Sequence, residues 1–130
     1  MAVGVLLIAH AGLGKGLLQA AQHINGVPTL SVVAHDIQIE LDSHAQLISA
    51  SAAFRKVENP AGVLILVDSP GSIADRTAAQ LAQFGTPARR VSGVSLPMLL
   101  RVMHYAEQGL DELARTAAAG GRNGVVIDHA

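Results

Sequence analysis

Two residues whose side chains can do chemistry, His10 and Asp68, follow the two most apolar runs of the sequence. Residues 3–9 (VGVLLIA) come directly before His10, and residues 62–67 (GVLILV) come directly before Asp68. A carboxylate that accepts a hydrogen bond from one imidazole nitrogen fixes the tautomer and stabilises positive charge on the ring. The other nitrogen can then act as a nucleophile and covalent carrier, because an ordinary histidine has a pKa of about 6.5 and is largely neutral near pH 7.

Glycine-containing segments follow both residues and lead toward predicted helices. Residues 11–14 (AGLG) supply Gly12, while residues 70–72 (PGS) supply Gly71 and the hydroxyl group of Ser72. The free N–H groups and the dipole at a helix N-terminus favour an anion. The sequence therefore predicts an anion cradle, suited to a phosphoryl group, beside the two reactive side chains.

Each of these features also has an ordinary structural explanation. A histidine after a strand can cap a turn, and an aspartate before Ser-Pro-Gly is a common turn former. The segment AGLGKG resembles a phosphate loop but lacks the full G-x-x-x-x-G-K-[ST] spacing, so a nucleotide site is the weaker interpretation and Lys15 is expected to be solvated. The joint position of His10 and Asp68 favours the functional interpretation.

Short apolar runs alternate with amphipathic ones along the chain. Strands are predicted at residues 3–9, 29–34, 62–67, 88–94 and 123–128. Helices are predicted at about 13–24, 39–57 and 73–83, from Ser95 onward, and at 110–119, the last closed by Gly120 and Gly121. This order predicts a single-domain α/β fold with a doubly wound, mostly parallel sheet of order 2-1-3-4 and a C-terminal edge strand. In such a sheet the strand order reverses beside strand one, which places His10 and Asp68 together.

Composition narrows the function classes. With 130 residues, 50% of them hydrophobic, the chain is expected to form one domain over residues 1–130. A net charge of -1 and 2% aromatic residues argue against nucleic-acid binding. The absence of cysteine excludes disulfides and thiol chemistry. No apolar run approaches the ~18 residues of a membrane span, and the apolar N-terminus lacks a basic lead-in, so a cytoplasmic location is expected.

The remaining histidines that fall on predicted elements give weaker evidence of a functional role than His10. His35 and Asp36 are expected to follow the second strand, at the same sheet edge but farther from the reversal point, in a supporting or loop role. His23, His44 and His104 fall on separate predicted helices and are interpreted as surface or packing residues rather than metal ligands.

Four segments match the motifs of a known family. His10 is followed by a Leu-Leu pair as in T-H-x-x-x-x-x-L-L, and Asp68 precedes a loop that contains glycine and serine. Residues 93–99 (GVSLPML) are close to G-V-N-L-P-M-L, and residues 121–125 (GRNGV) fit G-R-x-G-V. Over essentially its whole length the chain resembles the mannose-type (mannose/fructose/sorbose family) enzyme IIA domains of the sugar phosphotransferase system.

The resemblance implies a phosphohistidine carrier. Phospho-HPr would donate to His10, which would pass the phosphoryl group to an enzyme IIB domain beside a membrane sugar permease. Asp68 would orient His10, while Ser72 and nearby backbone N–H groups would bind the phosphoryl oxygens. No metal or cofactor is implied, because the donor is itself a phosphohistidine and catalysis is mostly positioning. Family members are typically homodimers, some exchanging a C-terminal strand, which would pair residues 125–128 across an interface.

The loop after Asp68 departs from the family's usual G-G-[ST]-P-x-N. This chain has PGSIAD at residues 70–75, and an ungapped match would place Ile73 rather than Ser72 at the hydroxyl position. The departure leaves open a non-catalytic or regulatory interaction module of the same fold. A receiver domain phosphorylated on Asp68 is a further alternative, although no acidic Mg²⁺ ligand follows the first strand.

Overall fold

The computed structural model describes residues 1–128, which form one α/β domain. The four strands are β1 (Gly4–His10), β2 (Val32–Ile37), β3 (Val63–Val67) and β4 (Ala88–Ser92). The five helices are α1 (Leu13–Asn25), α2 (Ser43–Val57), α3 (Ile73–Leu81), α4 (Leu96–His104) and α5 (Leu110–Asn123). No helix within residues 1–128 is long and apolar enough to cross a membrane.

The sheet is parallel, with strand order β2-β1-β3-β4. This confirms the predicted doubly wound fold and the order 2-1-3-4. Because β1 and β3 are neighbours, with Ile8 opposite Val67, the residues at their carboxyl ends meet at one edge of the sheet. His10 and Asp68 therefore lie side by side, as the sequence predicts.

Two apolar layers sandwich the sheet. Alternate side chains of β1 and β3, such as Leu7 and Leu66, pack with α1, α4 and α5 on one face. The intervening side chains, such as Ile8 and Ile65, pack with α2 and α3 on the other. All of β1 from Gly4 to Ala9 is buried, which explains why this strand is continuously apolar instead of alternating. Two covered faces hold the strand ends rigidly, which a positioned site requires.

The second strand and second helix begin later than predicted. β2 starts at Val32 rather than at residue 29, so His35 and Asp36 lie within it and do not follow it. The residues directly after Pro28 form a bend and no strand. α2 starts after Asp42, whose side chain accepts a hydrogen bond from the Ala45 N–H at 2.8 Å and caps the helix.

The predicted C-terminal strand is wrong for the described residues. α5 continues to Asn123, and residues 124–128 form no strand. Gly120 does not end the helix as predicted; it is buried where α5 meets α4, and a Cβ there would lie 2.8 Å from the Cβ of Arg101. The glycines that looked like a helix stop thus allow two helices to approach closely. His129 and Ala130 lie outside the described residues.

Candidate functional site

The site is centred on a hydrogen-bonded pair at the carboxyl edge of the sheet. The Nδ1 atom of His10 lies 2.6 Å from Oδ2 of Asp68, and the His10 backbone N–H donates to the same oxygen at 3.0 Å. The imidazole is 45% exposed, whereas the carboxylate is 10% exposed. None of the hydrogen bonds formed within residues 1–128 involves the other ring nitrogen, Nε2. A buried carboxylate thus orients an exposed imidazole that has one free nitrogen.

Asp68 is held ionised by its neighbours. Burial opposes ionisation, but hydrogen bonds from the His10 ring, the Ser72 hydroxyl, and the backbone N–H groups of His10 and Ser69 outweigh it and lower the pKa of the Asp68 carboxyl below its ordinary value. The donors Ser69 N–H and Ser72 Oγ reach the second oxygen, Oδ1, at 2.7 and 2.8 Å. Each carboxylate oxygen is therefore an acceptor with two protein donors.

The loop between β3 and α3 closes the site on one side. Ser72 caps α3: its oxygen accepts from the Asp75 N–H at 3.1 Å while its hydroxyl group donates to Asp68. Ser72 thus supplies a hydroxyl group that reaches Asp68. Ile73, which an ungapped match places at the hydroxyl position of the family motif, packs against the core. Gly71 has a φ of 78°, and its N–H donates to Asp75 Oδ2 at 2.7 Å. Both predicted phosphoryl donors of this loop are therefore already engaged within the protein.

The start of α1 lies on the other side of His10. Gly12 has a φ of 83°, a conformation that favours glycine, and no side chain caps the helix. The first helical bond runs from the Gly16 N–H to the Gly12 carbonyl at 3.0 Å. The N–H groups of the turn before Gly16 have no intrahelical acceptor, so they are available to an anion.

A cleft of about 530 Å³ opens beside His10 along β2. Its lining includes Lys15, His35 and Asp36. Lys15 Nζ lies 3.6 Å from Asp36 Oδ2, with the two side chains 68 and 22% exposed. This ion pair was not predicted from the sequence, since the two residues become neighbours only when α1 packs beside β2. Burial lowers the pKa of His35 below its ordinary value. The negative charge of Asp36 raises this pKa, while the positive charges of Lys15 and Lys56 lower it further.

Two polar atoms at this cleft, His35 Nε2 and Asp36 Oδ1, are buried without a hydrogen-bond partner within residues 1–128. No group of three or more His, Asp and Glu side chains in that part of the chain is placed to hold a metal ion. The other helical histidines, His23, His44 and His104, do not join the site.

Fold and site together define a parallel α/β domain that presents a carboxylate-oriented histidine at the carboxyl edge of its sheet. The family described as "PTS system fructose IIA component" matches residues 4–118. The chain therefore belongs to the mannose-type enzyme IIA family of the sugar phosphotransferase system. Comparison with curated protein sequences gave no match.

Solved structures agree in fold. A phosphotransferase system component EIIA from Streptococcus agalactiae superposes with a TM-score of 0.84 at 18% identity, over 96% of each chain. A mannose/sorbose-specific IIA subunit from Enterococcus faecalis has a TM-score of 0.80 at 22% identity, over 100% of this chain and 97% of that one. A sigma-54 interaction domain protein from Enterococcus faecalis has a TM-score of 0.73 at 15% identity, over 95% of this chain and 93% of that one. The TM-scores establish a shared architecture, and at these identities the likeness shows the fold alone.

Proposed function

We propose that the chain is a phosphohistidine carrier that accepts a phosphoryl group from phospho-HPr on His10 and passes it to an enzyme IIB domain. The observation that carries this proposal is the 2.6 Å contact between His10 Nδ1 and Asp68 Oδ2, with the imidazole 45% exposed. A macromolecular donor needs an accessible nucleophile, and covalent catalysis needs that nucleophile oriented. Family membership supports a phosphotransferase-system role for the chain.

In this proposal Nε2 is the nucleophile. Asp68 engages Nδ1, so the ring proton resides there and the Nε2 lone pair is free. Nε2 attacks phosphorus as the phosphorus–nitrogen bond in the donor breaks, and the departing imidazole nitrogen keeps the electron pair of that bond. The product ring carries the phosphoryl group on Nε2 and a proton on Nδ1. Its positive charge is stabilised by the adjacent carboxylate.

Donors from two segments would bind the phosphoryl oxygens. The N–H groups of the first turn of α1, after Gly12, have no intrahelical acceptor and would donate to the phosphoryl oxygens. The Ser72 hydroxyl points to Asp68 and would have to rotate toward the phosphoryl group, while Gly71 donates to Asp75. Gly12 and its turn are therefore the primary phosphoryl site in this proposal, and Gly71 and Ser72 shape the opposite wall.

The carrier role is tested by phosphorylation in vitro. The protein is incubated with phosphoenolpyruvate, enzyme I and HPr, and its intact mass is measured beside a His10→Ala variant. One added phosphoryl group in the parent and none in the variant is the expected result, with loss in acid and stability in base. Base lability with acid stability would instead indicate an acyl phosphate on Asp68. No transfer from an HPr shown to be phosphorylated would refute the proposal for that donor.

A regulatory module of the same fold is the second candidate. It is favoured by the engaged state of two predicted donors: the Gly71 N–H donates to Asp75, and the Ser72 hydroxyl donates to Asp68. This candidate predicts a stable complex with HPr or a IIB domain, without phosphoryl transfer. Binding measured by calorimetry alongside the mass assay separates the two functions.

We further propose that one carrier domain spans residues 1–130, acts in the cytoplasm and forms a homodimer. Val125, Val126 and Ile127 are 80, 69 and 94% exposed, although all three are apolar. β4 is also an edge strand within residues 1–128, with an unpaired outer side that could accept a strand. Light scattering should give a dimer for the parent and a monomer for Val126→Asp; a monomeric parent would refute this part.

A further inference from the structure

An acidic residue outside the reacting pair holds the wall of the site. Asp75, in the first turn of α3, accepts the Gly71 N–H on Oδ2 at 2.7 Å. Its other oxygen, Oδ1, lies 3.1 Å from Nε of Arg90 and 3.4 Å from the hydroxyl group of Ser92, both on β4. The Asp75 carboxylate thus ties the loop after β3 to the edge strand.

The backbone of Asp75 belongs to the same network. Its N–H donates to the Ser72 oxygen at 3.1 Å, and its carbonyl accepts from Arg90 Nη1 at 3.3 Å. Ser72 in turn donates to Asp68, which engages His10. A continuous path of hydrogen bonds therefore runs from Arg90 on β4 to the imidazole.

The loop needs such a restraint. Gly71 sits in the left-handed region at a φ of 78°, with its N–H and carbonyl both tied down. The N–H goes to Asp75 and the carbonyl accepts from Arg76 Nη1 at 2.8 Å. Without the Asp75 carboxylate, the Gly71 N–H loses its acceptor and the loop that carries Ser72 loses its side-chain tie to β4.

We propose that Asp75, held by Arg90, is a positioning residue for the His10–Asp68 pair, acting through the Gly71–Ser72 loop. The inference rests on the proposed carrier function, and it adds a residue that touches neither the phosphoryl group nor His10. The Asp75 side chain is 14% exposed and that of Arg90 38%, so water screens this pair less than a surface ion pair.

The same strand offers a matched control. Arg89, next to Arg90, pairs with Asp111 at 2.8 Å, but these side chains are 54 and 61% exposed and do not contact the loop. Asp111→Ala therefore removes an Arg–Asp pair from β4 without touching the path to His10. Because both side chains of this ion pair are exposed, the pair is expected to contribute little to the stability of the fold.

The test compares Asp75→Ala, Asp75→Asn, Arg90→Met and Asp111→Ala. Single-turnover transfer from phospho-HPr is measured over a range of HPr concentrations, and ¹⁵N NMR of the His10 ring reports which nitrogen carries the proton. Circular dichroism establishes that each variant is folded. Asp75→Asn keeps an acceptor oxygen for the Gly71 N–H and serves as the conservative rescue.

The inference predicts that Asp75→Ala lowers the maximal transfer rate by about tenfold, since small misplacement of reacting groups costs orders of magnitude. The half-saturating HPr concentration should stay unchanged, and the ring signal should shift toward mixed tautomers. Arg90→Met should change both readouts in the same direction by less, Asp75→Asn should recover most of the rate, and Asp111→Ala should match the parent.

A parental rate and parental ring signal in Asp75→Ala would overturn the inference, and so would an equal loss in Asp111→Ala. If Asp75→Ala does not fold, Arg90→Met decides the question by the same readouts, and a parental rate with a parental ring signal in that variant would overturn the inference. A parent that accepts no phosphoryl group would refute the carrier function instead. In that case the ring signal of the variants still decides whether Asp75 positions His10.

Discussion

Replacing Asp68 by asparagine should slow phosphoryl transfer to His10 without unfolding the domain. The substitution keeps the size of the side chain but removes its charge. An amide also cannot accept all four hydrogen bonds that the two carboxylate oxygens receive from the His10 ring, the His10 and Ser69 N–H groups, and the Ser72 hydroxyl. The variant therefore loses both the orientation of the imidazole and the stabilisation of its positive charge.

The size of the effect follows from the bond that is lost. A hydrogen bond to a charged group contributes about 1.5–3 kcal/mol, which corresponds to about 10- to 150-fold in rate at 1.36 kcal/mol per decade. The imidazole is 45% exposed, so solvent screening places the expected loss in the lower part of that range, about 10- to 50-fold.

A quenched single-turnover assay from phospho-HPr measures this rate directly. Asp36→Asn is the matched control, because Asp36 is a carboxylate at the same edge of the sheet, opposite Ala9 of β1, without a hydrogen bond to His10. We expect the control to remain within about threefold of the parent, because Asp36 does not contact the reacting pair and its ion-pair partner Lys15 is 68% exposed. A folded Asp68→Asn variant that transfers as fast as the control would refute the role of the carboxylate.

Three further predictions concern stability. Gly120→Ala should lower the free energy of unfolding by about 1–3 kcal/mol, since its Cβ would lie 2.8 Å from the Cβ of Arg101. Gly16→Ala, whose Cβ would have nothing within 4 Å, should raise the free energy of unfolding by about 0.5–1 kcal/mol. Thermal denaturation of both variants checks this. The pKa of His35 is lowered in the fold, so the unfolded state binds a proton more readily and the stability of the protein should fall as the pH drops below about 6.5. In His35→Gln the melting temperature should therefore change less between about pH 7.5 and 5.5 than in the parent. An unchanged dependence of the melting temperature on pH would contradict the reasoning. The pKa of Asp68 is also lowered, so its contribution to stability is present above its unfolded pKa of about 3.9 and is lost as the pH falls through the lower folded pKa. Acid unfolding should therefore be less steep in Asp68→Asn than in the parent. Coincident acid-unfolding curves of the two proteins would count against this contribution.

Much of the fold and the centre of the site follow from local patterns. The apolar runs before His10 and Asp68 predict two strands covered on both faces, and such strands occupy the middle of a parallel sheet. Once the strand order is inferred from the alternation of elements, the carboxyl ends of β1 and β3 must be adjacent. The sequence alone therefore predicted the pair, although not its 2.6 Å contact or the oxygen that makes it.

The wrong predictions come from sequence patterns that are compatible with more than one structure. Gly120 and Gly121 end many helices, but here they let α5 lie against α4, and only the packed helices show which meaning applies. The apolar residues 125–127 are typical of a strand, yet a strand needs a neighbour, and they have none within residues 1–128. The start of β2 was also misplaced, because the side chains of this edge strand are only partly buried and mark no sharp boundary in the sequence.

The support of the site was decided by tertiary structure alone. Nothing in the local sequence around Arg90 or Asp75 indicates that the two residues meet. Their contact at 3.1 Å, like that of Lys15 with Asp36, forms only after the strands have assembled and the helices have packed on them. A chain encodes burial in short repeating patterns, but which charged groups meet depends on where distant segments converge. The sequence therefore determined the strands and the reacting histidine, and the packed fold determined what holds that histidine in place.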